Sequence, residues 1–83
     1  MSGYGELSWS DGRLYKGTFL NDKKHGQGIF YWADGRKYDG QWKNGKQSGL
    51  GIYIYANGQT KYGIWNNGKR EQWLNEEEYK RKL

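Results

Sequence analysis

The sequence predicts an all-β fold. The expected architecture is an elongated, single-layer antiparallel meander of stacked β-hairpin repeats, about six strands in all, with a short C-terminal helix. Three observations carry this expectation. The stretch Tyr38 to Thr60, YDGQWKNGKQSGLGIYIYANGQT, recurs along the chain at a step of 23 residues. Asp/Asn-Gly and related turn signals return about every 10–13 residues. Between the turns, aromatic residues alternate with glycines at the period of two that a strand imposes.

The unit opens as Tyr-x-Gly-x-Trp, turns at Asn44-Gly45, restarts at Gly49-Leu50-Gly51, runs through Ile52-Tyr53-Ile54-Tyr55 and closes at Asn57-Gly58. One step back, Tyr15-Lys16-Gly17-Thr18-Phe19 stands for the opening, Gly26-Gln27-Gly28 for the restart and Asp34-Gly35 for the close. Half a unit precedes it, with Gly3-Tyr4-Gly5, Trp9 and Asp11-Gly12, and half a unit follows, with Gly63-Ile64-Trp65 and Asn67-Gly68. The array therefore divides into a half repeat over 3–14, full repeats over 15–37 and 38–60, and a half repeat over 61–70. A capping tail follows over 71–83. Because each repeat of such a fold buries its faces against neighbours, the expectation is a segment of a longer array.

Taken in order, the first strand lies in Gly3 to Leu14 and ends at Asp11-Gly12, a pair that tolerates positive φ. The second spans Tyr15 to Leu20 and ends in the turn Asn21-Asp22-Lys23-Lys24-His25. The third spans Gly28 to Trp32, the fourth Lys37 to Trp42, the fifth Gly51 to Tyr55 and the sixth Thr60 to Trp65. In the tail, Trp73-Leu74 is placed to pack on the last strand. Asn75 caps a helix from about Glu76 to Lys82, with acids in its first turn and bases in its last, as the helix dipole favours. Such a helix would cover a sheet edge that otherwise exposes unpaired N–H and C=O groups.

Parity sorts the faces. Tyr15, Gly17 and Phe19 share a face with Gly28, Phe30 and Trp32, and likewise Tyr38, Gly40 and Trp42 with Gly51, Tyr53 and Tyr55. A glycine leaves a gap on the pleat and a neighbouring ring lies flat over it, which gives a single sheet its core. The other face alternates a polar strand (Lys16, Thr18; Asp39, Gln41) with an apolar one (Ile29, Tyr31; Ile52, Ile54).

Composition agrees. The 83 residues include 14 Gly, no Pro, no Cys, 5 Trp, 8 Tyr and 2 Phe, so rings rather than aliphatics must supply the buried area. Without cysteine there is no disulfide and no thiolate metal site. No apolar run reaches the length of a membrane span, and no signal-peptide pattern is visible. The net charge is +5, and the basic excess lies in the repeats: residues 1–70 hold 11 Lys/Arg against 5 Asp/Glu.

With these motifs in place, the chain resembles the MORN (membrane occupation and recognition nexus) repeat family. The resemblance rests on Tyr15-Gly17-Phe19 and Tyr38-Gly40-Trp42, on Lys24-His25-Gly26-Gln27-Gly28 and Gly49-Leu50-Gly51, and on Asp11-Gly12, Asp34-Gly35 and Asn57-Gly58. It covers roughly residues 3–70. It departs at Lys61, where the opening Tyr is expected, and fails after Lys69, where Glu71-Gln72 replaces the next glycine pair. Choline- and glucan-binding repeats also use short Trp/Tyr/Gly hairpins, but the central Gly-x-Gly and the 23-residue step fit MORN better. The resemblance implies a scaffold without catalytic activity or cofactor, found in junctional, cortical and ciliary proteins and attached to lipid kinases and methyltransferases. It implies binding of partner peptides or helices, and of acidic phospholipids. The expected setting is cytoplasmic, whether cytoskeletal, ciliary or at a membrane surface.

The candidate partner groove is the aromatic face: Tyr15, Phe19, Phe30, Trp32, Tyr38, Trp42, Tyr53, Tyr55 and Trp65. The same rings can also simply be the core, and both uses are compatible in a sheet with no second layer. The candidate acidic-lipid edge is Lys23, Lys24, Lys43, Lys46, Lys69 and Arg70, with Arg13, Arg36, Lys37 and Lys61 along the opposite edge. Those charges equally serve solubility and protection against edge pairing. Self-association through strand edges is a further expectation.

Other chemistry has little support. The one histidine, His25, sits in a turn with no metal-ligand partners. The serines lack a nucleophile motif, the glycine pairs are too strand-like for a phosphate loop, and no nucleic-acid motif is present. The expected function is a non-catalytic interaction module that binds a protein segment through the aromatic groove. The alternatives are a peripheral adaptor for acidic membranes and a regulatory segment of a larger enzyme.

Overall fold

The structure, a computed structural model, describes residues 2–83. Strands β1 (Gly3–Ser8), β2 (Leu14–Leu20), β3 (Lys23–Tyr31), β4 (Lys37–Lys43), β5 (Lys46–Ile54), β6 (Thr60–Asn66) and β7 (Lys69–Leu74) precede helix α1 (Glu76–Arg81). The strands form one antiparallel sheet in sequence order, so every neighbour in space is a neighbour in the chain. The molecule measures 35 × 27 × 19 Å.

Two kinds of turn alternate. At the tips of β2–β3, β4–β5 and β6–β7, both central residues have positive φ: Asn21 and Asp22, Asn44 and Gly45, Asn67 and Gly68. That is the requirement of the type I′ hairpin, whose twist matches the strands. The N–H groups of Gly45 and Gly68 donate to the carbonyls of Lys24 (2.8 Å) and Gln47 (2.9 Å), so each tip is tied to the hairpin before it. At the other end, Trp9, Trp32 and Tyr55 open loops whose glycine N–H donates back to the aromatic carbonyl, at 2.9–3.1 Å.

Among the described residues the sheet has seven strands, not the six expected from sequence. The extra strand is β7, which includes residues 71–74 of the expected tail. The glycine motif is lost there, but ladder hydrogen bonds need only backbone, and Gly63 pairs with Trp73 where Gly40 pairs with Gly51. β3 and β5 also start earlier than expected, at Lys23 and Lys46 rather than Gly28 and Gly51. The cause is a bulge. Thr18 faces His25 to Gln27, and Gln41 faces Ser48 to Leu50, with Gly26 and Gly49 at positive φ. What reads as a long loop is a tight turn followed by a kinked strand.

One row of glycines runs straight across the sheet: Gly5, Gly17, Gly28, Gly40, Gly51 and Gly63 are paired in sequence. Tyr15 lies over Gly28 and Tyr38 over Gly51, and each phenol donates to a backbone carbonyl, Thr18 at 2.9 Å and Gln41 at 3.1 Å. These two tyrosines are fully buried, with Phe19, Phe30, Trp42 and Trp65 around them.

Helix α1 packs against β6 and β7 on the opposite face, where Tyr79 meets Tyr62 at 4.7 Å between ring centres. Its N-terminus carries a capping box: Asn75 accepts from the Glu78 N–H at 2.7 Å and the Glu78 carboxylate accepts from the Asn75 N–H at 3.0 Å. It ends at Arg81, with Lys82 as its C-cap, one residue short of the expected range.

Candidate functional site: an aromatic groove

The predicted groove residues separate into two ladders. The first is a chain of ring contacts: Phe19 on Tyr15, Tyr15 on Trp42, Trp42 on Tyr38, Tyr38 on Trp65 and Trp65 on Trp73. Centroid distances are 4.8–5.9 Å and interplanar angles 77–90°, the edge-to-face geometry that the ring quadrupole favours. Apart from Trp73, these rings are buried. They are the core.

The second ladder runs Trp9, Phe30, Trp32, Tyr53, Tyr55, at 4.9–6.0 Å. Only Phe30 in it is buried; the others are half-exposed. The ladders meet where Phe30 touches Trp42, at 6.0 Å. Between them lies an open depression of about 270 Å³, floored by Phe30, Trp32 and Trp42 and walled by Lys24, Lys46, Gln47 and the two turn glycines Gly45 and Gly68. Sequence parity identified the aromatic face but could not separate rings consumed by the core from rings left open. Neither Trp9 nor Trp73 was among the predicted groove residues: Trp9 carried a signal in its 23-residue offset from Trp32, whereas Trp73, expected to pack on the last strand and found against Trp65, stands where the repeat pattern has already failed.

A family model for the MORN repeat matches residues 1–12, 15–35 and 38–60. The chain is a member of the MORN repeat family. A search among curated proteins gave no match. The matched MORN segments carry both ladders as far as Tyr55, and the lost tyrosine at Lys61 marks where the pattern changes. There the Trp65 ring turns over Gly63 in place of a tyrosine.

Cations decorate this MORN face. Arg13 lies 5.0 Å over Trp9 and is paired with Asp11 at 2.8 Å. Arg36 repeats the arrangement over Trp32 at 5.5 Å, pairs with Asp34 at 2.7 Å, and donates to the Tyr53 hydroxyl at 3.0 Å. The two carboxyls are held below the usual carboxylate range, Asp11 chiefly by the Arg13 side chain and Asp34 chiefly by the Arg36 backbone N–H. Lys61 lies over Tyr55 and Trp73, and Arg70 over Trp73 at 4.6 Å.

Of the six residues predicted to form one basic edge, Lys23, Lys43, Lys46 and Lys69 are exposed at the hairpin tips. Lys24 and Arg70 instead face the aromatic side. The Lys24 ammonium lies 5.4–5.8 Å from the centres of four rings, Trp9, Tyr15, Phe30 and Trp42. Burial, and then the nearby Arg13 charge, lower its pKa.

A second, more polar depression of about 500 Å³ is lined by His25, Gln27, Gln41, Lys43 and Ser48, with Trp42 and Gly26. The His25 Nδ1 is buried there and meets no hydrogen-bond partner among the described residues. Among the described residues no cluster of His, Asp and Glu is arranged to hold a metal ion, and no helix is long and apolar enough to cross a membrane.

Proposed function

We propose that this MORN module is a protein-interaction scaffold whose groove takes a partner segment, a peptide or a helix. The supporting observation is the second ladder: Trp9, Trp32, Tyr53 and Tyr55 remain half-exposed, with Trp32 on the floor of an open depression, although the buried ladder already supplies the core. Large, rigid aromatic surface that folding leaves uncovered is the usual material of binding hot spots.

Selection of a random dodecapeptide phage library on the immobilised chain tests this. Enriched peptides should bind in solution, and Trp32→Ser with Tyr53→Ser should weaken them tenfold or more while the thermal transition is retained. Failure to enrich any peptide, or binding indifferent to both substitutions, would overturn the reading.

A second reading, attachment to an acidic membrane, draws support from Lys23, Lys43, Lys46 and Lys69 gathered at one end of the hairpins. Each basic residue near an anionic surface is worth about 1 kcal/mol. Co-sedimentation with phosphatidylserine vesicles at physiological salt, lost on reversing these four lysines to glutamate, would favour it. Sedimentation only at low salt would leave those charges as a solubility feature.

A further inference from the structure

We infer that Lys24 sets the chemistry of the groove's occupant: an acidic, apolar segment that places a side-chain carboxylate against the Lys24 ammonium while its apolar side chains cover Trp32 and Tyr53. The inference rests on the groove reading above and adds the partner's chemistry to it.

The other cations of this face are already paired or screened. Arg13 and Arg36 are each already paired with a turn carboxylate, Asp11 and Asp34. Lys61, Arg70 and Lys46, the other cation on the wall of the depression, are exposed, where water screens them. Lys24 differs on both counts. It is half-buried, it lines the depression, and among the described residues its ammonium makes ring contacts but no hydrogen bond or ion pair. Ring faces offset part of the desolvation of a cation, but they accept none of its three N–H donors well. A carboxylate brought into the depression would satisfy those donors with a charge-assisted hydrogen bond, roughly twice as strong as a neutral one. An amide or a lysine brought there would gain less or be repelled. The net charge of +5 adds long-range attraction for the same occupant.

The repeat supplies its own comparison. Lys24 pairs with Phe19 just as Gln47, 23 residues on, pairs with Trp42, and Gln47 lines the same depression. The fold thus accepts an uncharged Gln at this position of the unit, which makes Lys24→Gln a conservative way to remove the charge.

The test uses peptides selected on the immobilised chain, each resynthesised with its Asp and Glu changed to Asn and Gln. Wild-type chain should prefer the acidic form by about tenfold or more, the factor of a charge-assisted hydrogen bond. Lys24→Gln should reduce the preference to less than about threefold, Lys24→Arg should keep it, and Lys24→Gln with Gln47→Lys should recover part of it. Peptides that bind equally well in acid and amide form would overturn the inference and leave the groove reading standing. A preference that survives Lys24→Gln would do the same. Selection of no peptide at all would overturn both. Displacement of acidic peptides by phosphatidylserine vesicles, with the same dependence on Lys24, would assign the anion to a lipid headgroup and overturn the peptide occupant.

Discussion

The Tyr38 ring lies across Gly51 so closely that a Cβ built on the glycine would meet its Cε1, Cζ and Oη at 2.5–2.6 Å. Tyr15 stands in the same relation to Gly28, one repeat earlier. A single sheet has no second sheet to fill its face, so each ring must be its own cover, and the glycine is what lets it lie flat. Gly51→Ala should therefore destabilise the fold by about 1–3 kcal/mol, the usual cost of overpacking. Gly63→Ala should cost less, since its nearest ring atom is Trp65 Cζ3 at 2.9 Å. Urea unfolding followed by tryptophan fluorescence measures both. Equal costs would mean that ring overlay is not what selects glycine in this row.

The same burial gives the fold an alkaline limit. Burial pushes the Tyr15 phenol from an ordinary 10.0 up to about 12, and raises Tyr38 further. A folded-state pKa above the unfolded one favours the native state fully below pH 10.0, and this advantage fades as pH rises through about 12. For Tyr15 alone the difference is on the order of 3 kcal/mol. Stability should hold to about pH 10 and then collapse, with phenolate absorbance from both tyrosines appearing together with unfolding. Tyr15→Phe should shift that collapse upward, at a neutral-pH cost of about 1 kcal/mol for the lost bond to the Thr18 carbonyl. At the acid end the signs reverse. Asp11 and Asp34 lie below 3.8, so their contribution is present above that pH and lost as pH falls below it. Asp34→Asn should flatten the acid limb of the stability curve.

These contacts also show what the sequence could and could not disclose. Parity made it readable that Tyr15 and Tyr38 share a face with the glycines, but which glycine each covers, Gly28 and Gly51 on the next strand, is set by cross-strand register. The seventh strand was not readable, because the repeat signal lies in the glycines, and Glu71-Gln72 breaks that pattern while backbone pairing continues. Nor was the place of Lys24. Its position among Lys23, Lys24 and His25 suggested a turn, but the turn is only Asn21-Asp22. The bulge opposite Thr18 then absorbs two residues, an even number, so Lys24 keeps the parity of Gly28 and Phe30. Burial of one aromatic ladder and exposure of the other depend on which rings the neighbouring repeat covers, a property of stacking that no single strand carries.

Helix α1 should behave as a separate, weaker element. It has six residues, none buried, and its main sheet contact is Tyr79 on Tyr62. Asn75→Ala removes one half of the capping box and should cost the helix about 1 kcal/mol, enough to fray so short a segment. Hydrogen exchange should quicken at Glu78 and its neighbours, while the amides of β2 to β5 keep their protection. Loss of protection across the whole sheet would show instead that α1 is integral to the fold.

The bulge glycine supplies the last prediction, because it links backbone geometry to the groove. Gly26 holds φ at +82°, and a Cβ there would also meet Thr18 Oγ1 at 2.6 Å. An L-residue at such a φ costs roughly 1–2 kcal/mol before any clash is counted. Gly26→Ala should therefore either lower stability by at least that amount or release the strain by reshaping the bulge. Reshaping by one residue would reverse the parity of β3 between the bulge and the tip and turn Lys24 to the opposite face. In that event the lysine's ring-current-shifted side-chain resonances, which proximity to Trp9, Tyr15, Phe30 and Trp42 demands, should move toward ordinary lysine values. Gly49→Ala, beside Gln41, should destabilise in the same way but leave the Lys24 resonances in place. Unmoved resonances in a fully stable Gly26→Ala chain would show that the bulge does not fix the face on which Lys24 lies.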